Sequence, residues 1–137
     1  MAIESQEISW KDRRMRVLII DPSPLARNVY RLILHRVGQC KIFALDAVNE
    51  LDREALNDPS YDLVILGGRA FIGDRGKLRA LLTDVPAWQR LPKIVVALTN
   101  SSDRKPAWDG LAQTVIVQRP FHPSVLMKAI KQHIKGT

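Results

Sequence analysis

The chain alternates short, unbroken apolar runs with segments whose apolar residues recur every three or four positions. Val17-Leu18-Ile19-Ile20, Leu63-Val64-Ile65-Leu66 and Ile94-Val95-Val96-Ala97-Leu98 are continuous, as expected of strands covered on both faces in a parallel sheet. Lys41 to Leu45 and Thr114 to Val117 read as two shorter strands, the second and the fifth. After the first strand, Ser23 and Pro24 suit an N-cap and a first helical position, where a missing N–H costs nothing. Leu25, Val29, Leu32, Ile33 and Val37 then recur at helical spacing until Gly38 stops the helix, with Arg27, Arg31 and Arg36 predicted to face outward. A second helix is predicted from an Asp46 cap to Asn57, with Val48, Leu51, Ala55 and Leu56 inside. A third is predicted over Asp74 to Asp84 on Leu78, Leu81 and Leu82. The last opens at Pro123 and buries Val125, Leu126, Ala129, Ile130 and Ile134.

The alternation predicts βαβ crossovers, hence an α/β domain with helices on both faces of a parallel sheet. Asn100 to Gln113 breaks the pattern: it holds Pro106, Gly110 and few apolar residues, so only a turn or two of helix is expected, from near Pro106. Residues 1–15 lack periodicity and are read as a leader, leaving 16–137 as a single domain.

A chain of 137 residues is one domain's worth, and 46% hydrophobic with 26% charged residues supports a buried core. The net charge of +7 favours acidic partners. It is dispersed, without a long basic arm, so nucleic acid is an unlikely partner on sequence grounds. One cysteine, Cys40, excludes an internal disulfide and a Cys-cluster metal site. His35, His122 and His133 match no ligand spacing. The first ten residues lack the apolar core of a secretory signal, and no apolar run is long enough to span a bilayer. A cytoplasmic protein is expected.

In open parallel sheets, ligands bind where loops leave the carboxyl ends of strands. Those ends carry Asp21, Gly67, Thr99 and Arg119-Pro120. The segments Val17 to Asp21, Tyr61 to Gly67, Ile94 to Thr99 and Val117 to Phe121 together resemble the strand-end motifs of response-regulator receiver domains, over about residues 16–135. The resemblance implies a flavodoxin-like (βα)5 domain with strand order 2-1-3-4-5, here with the helix between the fourth and fifth strands short or degraded. It also implies two-component signalling, in which an aspartate after the third strand accepts a phosphoryl group beside Mg²⁺.

Residue by residue, Asp21 keeps the first acid and Pro22 replaces the second. Gly67 stands at the acceptor position, Thr99 keeps the hydroxyl, and Arg119 replaces the lysine before Pro120. Glycine supplies no carboxylate nucleophile, and Asp21 alone is a poor Mg²⁺ site. Asp62 lies five residues back, about 16 Å along a strand and on its other face. No metal, cofactor or catalytic residue is therefore expected. A salt bridge from Asp21 to Arg119, direct or through water, is predicted to neutralise the vestigial pocket. A cis Arg119–Pro120 bond is implied by the resemblance. Gly67-Gly68 reads first as turn geometry, and no phosphate-cradling motif surrounds it.

Arg69, Arg75, Lys77 and Arg79 form the densest basic cluster near the strand ends. They read as a solvated face or, alternatively, as an anion site, because some receiver-like proteins bind cyclic di-GMP through arginines. Trp108, His122, Lys128 and Lys131 are the candidate partner surface, on the face that receivers use for docking. The expectation is a stand-alone, non-enzymatic pseudo-receiver that binds a signalling kinase, an adaptor or a regulated enzyme. A receptor for a nucleotide second messenger is the alternative.

Overall fold

The computed structural model describes residues 14–72, 76–97 and 108–135, with side chains to residue 132. Strand β1 (Met15–Ile20) leads into helix α1 (Pro24–Val37), strand β2 (Cys40–Leu45) and a short helix α2 (Arg53–Asn57). Strand β3 (Leu63–Gly67) follows, then helices α3 (Lys77–Asp84) and α4 (Pro86–Arg90), strands β4 (Lys93–Ala97) and β5 (Thr114–Gln118), and helix α5 (Pro123–Lys135). The five strands are parallel, in the order β2-β1-β3-β4-β5, as the resemblance implied.

Alternation along the strands sends side chains into two cores. Val17, Ile19, Ile65 and Val96 meet α1 and α5 on one face. Leu18, Ile20, Val64, Leu66 and Val95 meet α3, α4 and the loops after β2 and β3 on the other. Strands β3 and β4 are buried throughout and β1 everywhere but Arg16, which is why residues 17–20, 63–66 and 94–97 are unbroken apolar runs.

Helix α1 starts as its sequence dictates: Ser23 Oγ accepts from the Ala26 N–H at 3.2 Å, with Pro24 in the first turn. Its buried face is the predicted one only in part: Ile33 and Val37 are buried as expected, and Val29 packs partly buried against the same core. Ala26, Tyr30, Ile33, Leu34 and Val37 point inward, while Leu25 and Leu32 are 74% and 66% exposed. The helix is apolar on two stripes, and only one can face the sheet. Leu78, Leu81 and Leu82 are buried as expected, as are Leu126, Ala129 and Ile130 in α5, but Val125 is exposed.

The predicted helix from Asp46 to Asn57 is broken in two. Glu50 Oε1 turns back onto the N–H groups of Asp46 and Ala47, closing one 3-10 turn over Val48–Glu50. Leu51 is extended, and Asp52 caps a new start by accepting from the Ala55 N–H at 2.7 Å. Asp46 itself pairs with Arg27 at 2.5 Å, so it caps nothing. Helix α4 went unforeseen; it carries Trp88, fully buried, whose Nε1 donates to the Leu56 carbonyl at 3.0 Å. Of the weak segment, Trp108–Gly110 forms a turn, and residues 98–107 lie outside the described part. Among the described residues no helix is long and apolar enough to cross a membrane.

Candidate functional site

The carboxyl ends of β1 and β3 stand side by side, with Ile20 in register with Leu66. Asp21, the next residue along, is 3% exposed, and both its carboxylate oxygens are engaged. Oδ1 accepts from the Ser23 N–H at 2.9 Å, an Asx turn that leads into α1. Oδ2 accepts from the hydroxyl of Tyr30 at 2.8 Å. Tyr30 is fully buried. Burial first, then the charge of Asp21 and their hydrogen bond, push its phenol well above the ordinary range, with Arg119 opposing. Arg27 donates to the Asp21 carbonyl at 2.6 Å while holding Asp46, and so ties the β1 exit to the β2 exit.

Gly67 closes this arrangement. Its backbone is extended, φ −71° and ψ 143°, so any residue suits its torsions and turn geometry is not the reason for a glycine. The reason is space. A Cβ at residue 67 would overlap Oδ2 and Cγ of Asp21 and lie 3.1 Å from its Cβ. The carboxylate of Asp21 thus fills the volume in which a side chain at the acceptor position would begin. Gly68 is similarly covered: a Cβ there would lie 3.3 Å from the ring of Trp108, which also packs against Phe71 at 5.8 Å between centroids.

The direct salt bridge predicted between Asp21 and Arg119 does not form. Tyr30 and Ser23 satisfy the carboxylate from within its own β–α unit, and the Arg119 guanidinium, half-buried, acts on Tyr30 through its charge. The Arg119–Pro120 bond is cis, as the resemblance implied. Pro22 is exposed and offers no ligand. Asp62 sits at the other end of β3, accepting from the Arg16 N–H at 2.8 Å. Thr99 lies outside the described residues.

These residues do not fit a Mg²⁺ ion. Asp21 has no free oxygen directed at an ion, Pro22 and Gly67 supply none, and no group of three His, Cys, Asp or Glu among the described residues is placed to hold a metal.

The other candidates separate. Arg69 and Lys77 are exposed, and Arg79 donates to the Asp109 carbonyl at 2.9 Å, pinning the loop before β5. Arg75 lies outside the described residues. Trp108 is half-buried in the core on the far side of the sheet from α5, so it shares no surface with Lys128 and Lys131. His122 precedes α5, and its Nδ1 accepts from the Ser124 N–H at 3.1 Å.

Sequence reasoning missed Tyr30 and Lys93. Tyr30 carried a signal: nine residues after Asp21, it lies on a helix that starts beside the carboxylate. Lys93 is fully buried at the foot of β4, where its Nζ donates to the carbonyls of Gln89, Leu91 and Ala112 at 3.1, 2.8 and 3.0 Å. Burial lowers its pKa to about 8.

Strand order, the two helical layers and the strand-end site define a receiver-type α/β fold, and solved structures match it. The receiver domain of a histidine kinase from Clostridium thermocellum superposes with a TM-score of 0.70 at 16% identity, covering 88% of this chain and 98% of that one. A second match is the receiver domain of a sensor histidine kinase from Pseudomonas aeruginosa, solved with magnesium coordinated in its active site cleft. It gives a TM-score of 0.70 at 18% identity, over 90% and 99% of the two chains. In sequence, the chain is 28% identical over 119 residues to a gliding motility regulatory protein of Myxococcus xanthus, across 86% of this chain. It spans 15% of that protein's length. No family model matches.

Proposed function

We propose that this chain is a receiver-type module of two-component or phosphorelay signalling that accepts no phosphoryl group. In this reading it is non-enzymatic, cytoplasmic, and acts by contact with a protein partner such as a signalling kinase, an adaptor or a regulated enzyme. The fold likeness and the match to a motility regulator support the signalling class. One observation carries the pseudo-receiver part: the Asp21 carboxylate, held by Tyr30 and Ser23, occupies the space a side chain at residue 67 would need. Phosphoryl transfer to a receiver requires an accessible carboxylate nucleophile with Mg²⁺ beside it. Here the acceptor position has no side chain, and the nearby carboxylate is buried with both oxygens bonded.

The test is intact-mass analysis after incubation with acetyl phosphate and Mg²⁺. The expected result is an unchanged mass; a phosphoryl adduct mapped to one aspartate overturns the reading. No arrangement among the described residues favours the cyclic di-GMP alternative, since Arg79 is committed to the 109 carbonyl.

A further inference from the structure

Helices α1 and α5 pack side by side on one face of the sheet. Neither contains an aspartate or a glutamate. Between them they carry Arg27, Arg31, Arg36, Lys128, Lys131 and Lys135, six cations and no acid, so charge dispersed along the sequence gathers in this layer. Among the described side chains of this layer, only Arg27 is in an ion pair, with Asp46. Arg31, Arg36, Lys128 and Lys131 are exposed, with no carboxylate in ion-pair range among the described residues. The helices on the opposite face mix both signs, with Arg53 beside Glu54, and Lys77 and Arg79 with Asp84.

Set among these cations are the apolar side chains that the core rejects. Leu25 and Leu32 are 74% and 66% exposed, and Val125 is 48% exposed. The two leucines are seven residues apart on one helix face, about 10.5 Å along the axis. That is the repeat at which a second helix, lying alongside, receives side chains into its holes. A duplex would contact the cations and leave the leucines stranded. A lipid surface takes up a continuous apolar face, whereas among their described side chains these helices expose only Leu25, Leu32 and Val125 as separate apolar groups, and Tyr30 is fully buried.

We infer that the outer face of α1 and α5 is a docking surface for an acidic amphipathic helix of a partner protein, with Leu25 and Leu32 as anchors and Arg31, Arg36, Lys128 and Lys131 as the surrounding charges. The inference rests on the proposed function only in taking the output to be a protein contact. Phosphoryl acceptance is measured separately by mass, so either claim can fail alone.

The probe is a synthetic helical peptide of about three heptads, with leucine at the seam and glutamate flanking it. It is titrated into the full chain and followed by amide chemical shifts. Perturbations are expected along α1 and α5. Affinity should fall about tenfold or more in an Arg31→Glu, Lys128→Glu, Lys131→Glu variant and in a Leu25→Ser, Leu32→Ser variant. An Arg53→Glu, Arg90→Glu variant, which reverses exposed charges elsewhere, should bind as the parent does. Phosphatidylglycerol vesicles and a mixed-sequence DNA duplex are run in parallel. No shift with the peptide, equal loss in the Arg53/Arg90 control, or tighter binding to vesicles or duplex through the same residues overturns the inference.

Discussion

The carboxylate of Asp21 lies where the Cβ of any residue at 67 would have to stand, with Oδ2 and Cγ overlapping that position. Gly67 and Asp21 are therefore one feature, and substitutions at the two sites should not add. Gly67→Ala on the parent must drive Asp21 off its hydrogen bonds, at a cost of about 1–3 kcal/mol for overpacking. Asp21→Ala leaves the buried Tyr30 hydroxyl without its acceptor, also about 1–3 kcal/mol. Once the carboxylate is gone, alanine at 67 has most of its room. In a double-mutant cycle by urea unfolding, the second substitution should cost at least about 1 kcal/mol less than on the parent. Additivity within about 0.5 kcal/mol would break the link between the two residues.

The tyrosines report the same lock spectroscopically. Tyr30 and Tyr61 are the only two in the chain, and burial raises both phenols, with Tyr30 held further by Asp21. Native protein is expected to show little tyrosinate absorbance near pH 10, where a free phenol is half ionised, and unfolding should release both. The sign for stability follows. A phenol whose folded pKa lies above its unfolded value contributes stability that is complete below about pH 10 and is lost as pH rises beyond it. Tyr30→Phe should remove the later of the two native titrations. An ordinary titration of Tyr30 in the folded chain would mean that the hydroxyl is not held by the carboxylate.

The strands were legible because a parallel strand covered on both faces leaves no choice but unbroken β-branched and leucine runs. The start of α1 was legible because Ser23-Pro24 has few other uses. The inner face of α1 was legible only in part, at Ile33 and Val37. Leu25, Val29 and Leu32 make as good a stripe as Ala26, Tyr30, Ile33 and Leu34, and the Tyr30 hydroxyl, drawn to Asp21, accompanies the second. The same contact removed the acceptor that Arg119 was expected to find. The break between Val48 and Arg53 depends on Glu50 reaching backward, a choice that spacing alone does not reveal. For the site, residue identities disclosed the missing nucleophile; that its space is filled by Asp21 depends on how β1 and β3 lie side by side.

Rotation of α1 makes a direct prediction. Leu32→Gln and Leu25→Gln alter exposed positions and should change unfolding free energy by no more than about 0.5 kcal/mol. Leu34→Ala, on the buried side, should cost about 2–5 kcal/mol. If Leu25 and Leu32 instead proved costly by chemical denaturation, the helix would face the sheet with the stripe that its sequence first suggests.

Lys93 gives the last prediction, a dependence on pH of opposite sign to that of the tyrosines. Its ammonium is fully buried and donates to three carbonyls, and burial lowers its pKa from 10.5 to about 8. Between those values the unfolded chain holds a proton that the folded chain has released. More protons bound in the unfolded state means that stability rises with pH. The lysine's own contribution should therefore grow from about pH 8 to about 10.5, and Cys40 and the tyrosines, raised by burial, work against it toward the upper end. The comparison that isolates it is parent against Lys93→Met. At pH 7 the variant leaves the carbonyls of Gln89, Leu91 and Ala112 without this donor, and should be less stable by about 1–3 kcal/mol. As pH passes through 8 toward 10, the parent should gain on the variant, widening that difference. A difference that stays flat or narrows over this range, measured by urea unfolding at each pH, would show that the lysine keeps its charge throughout, with the three carbonyls outweighing its desolvation.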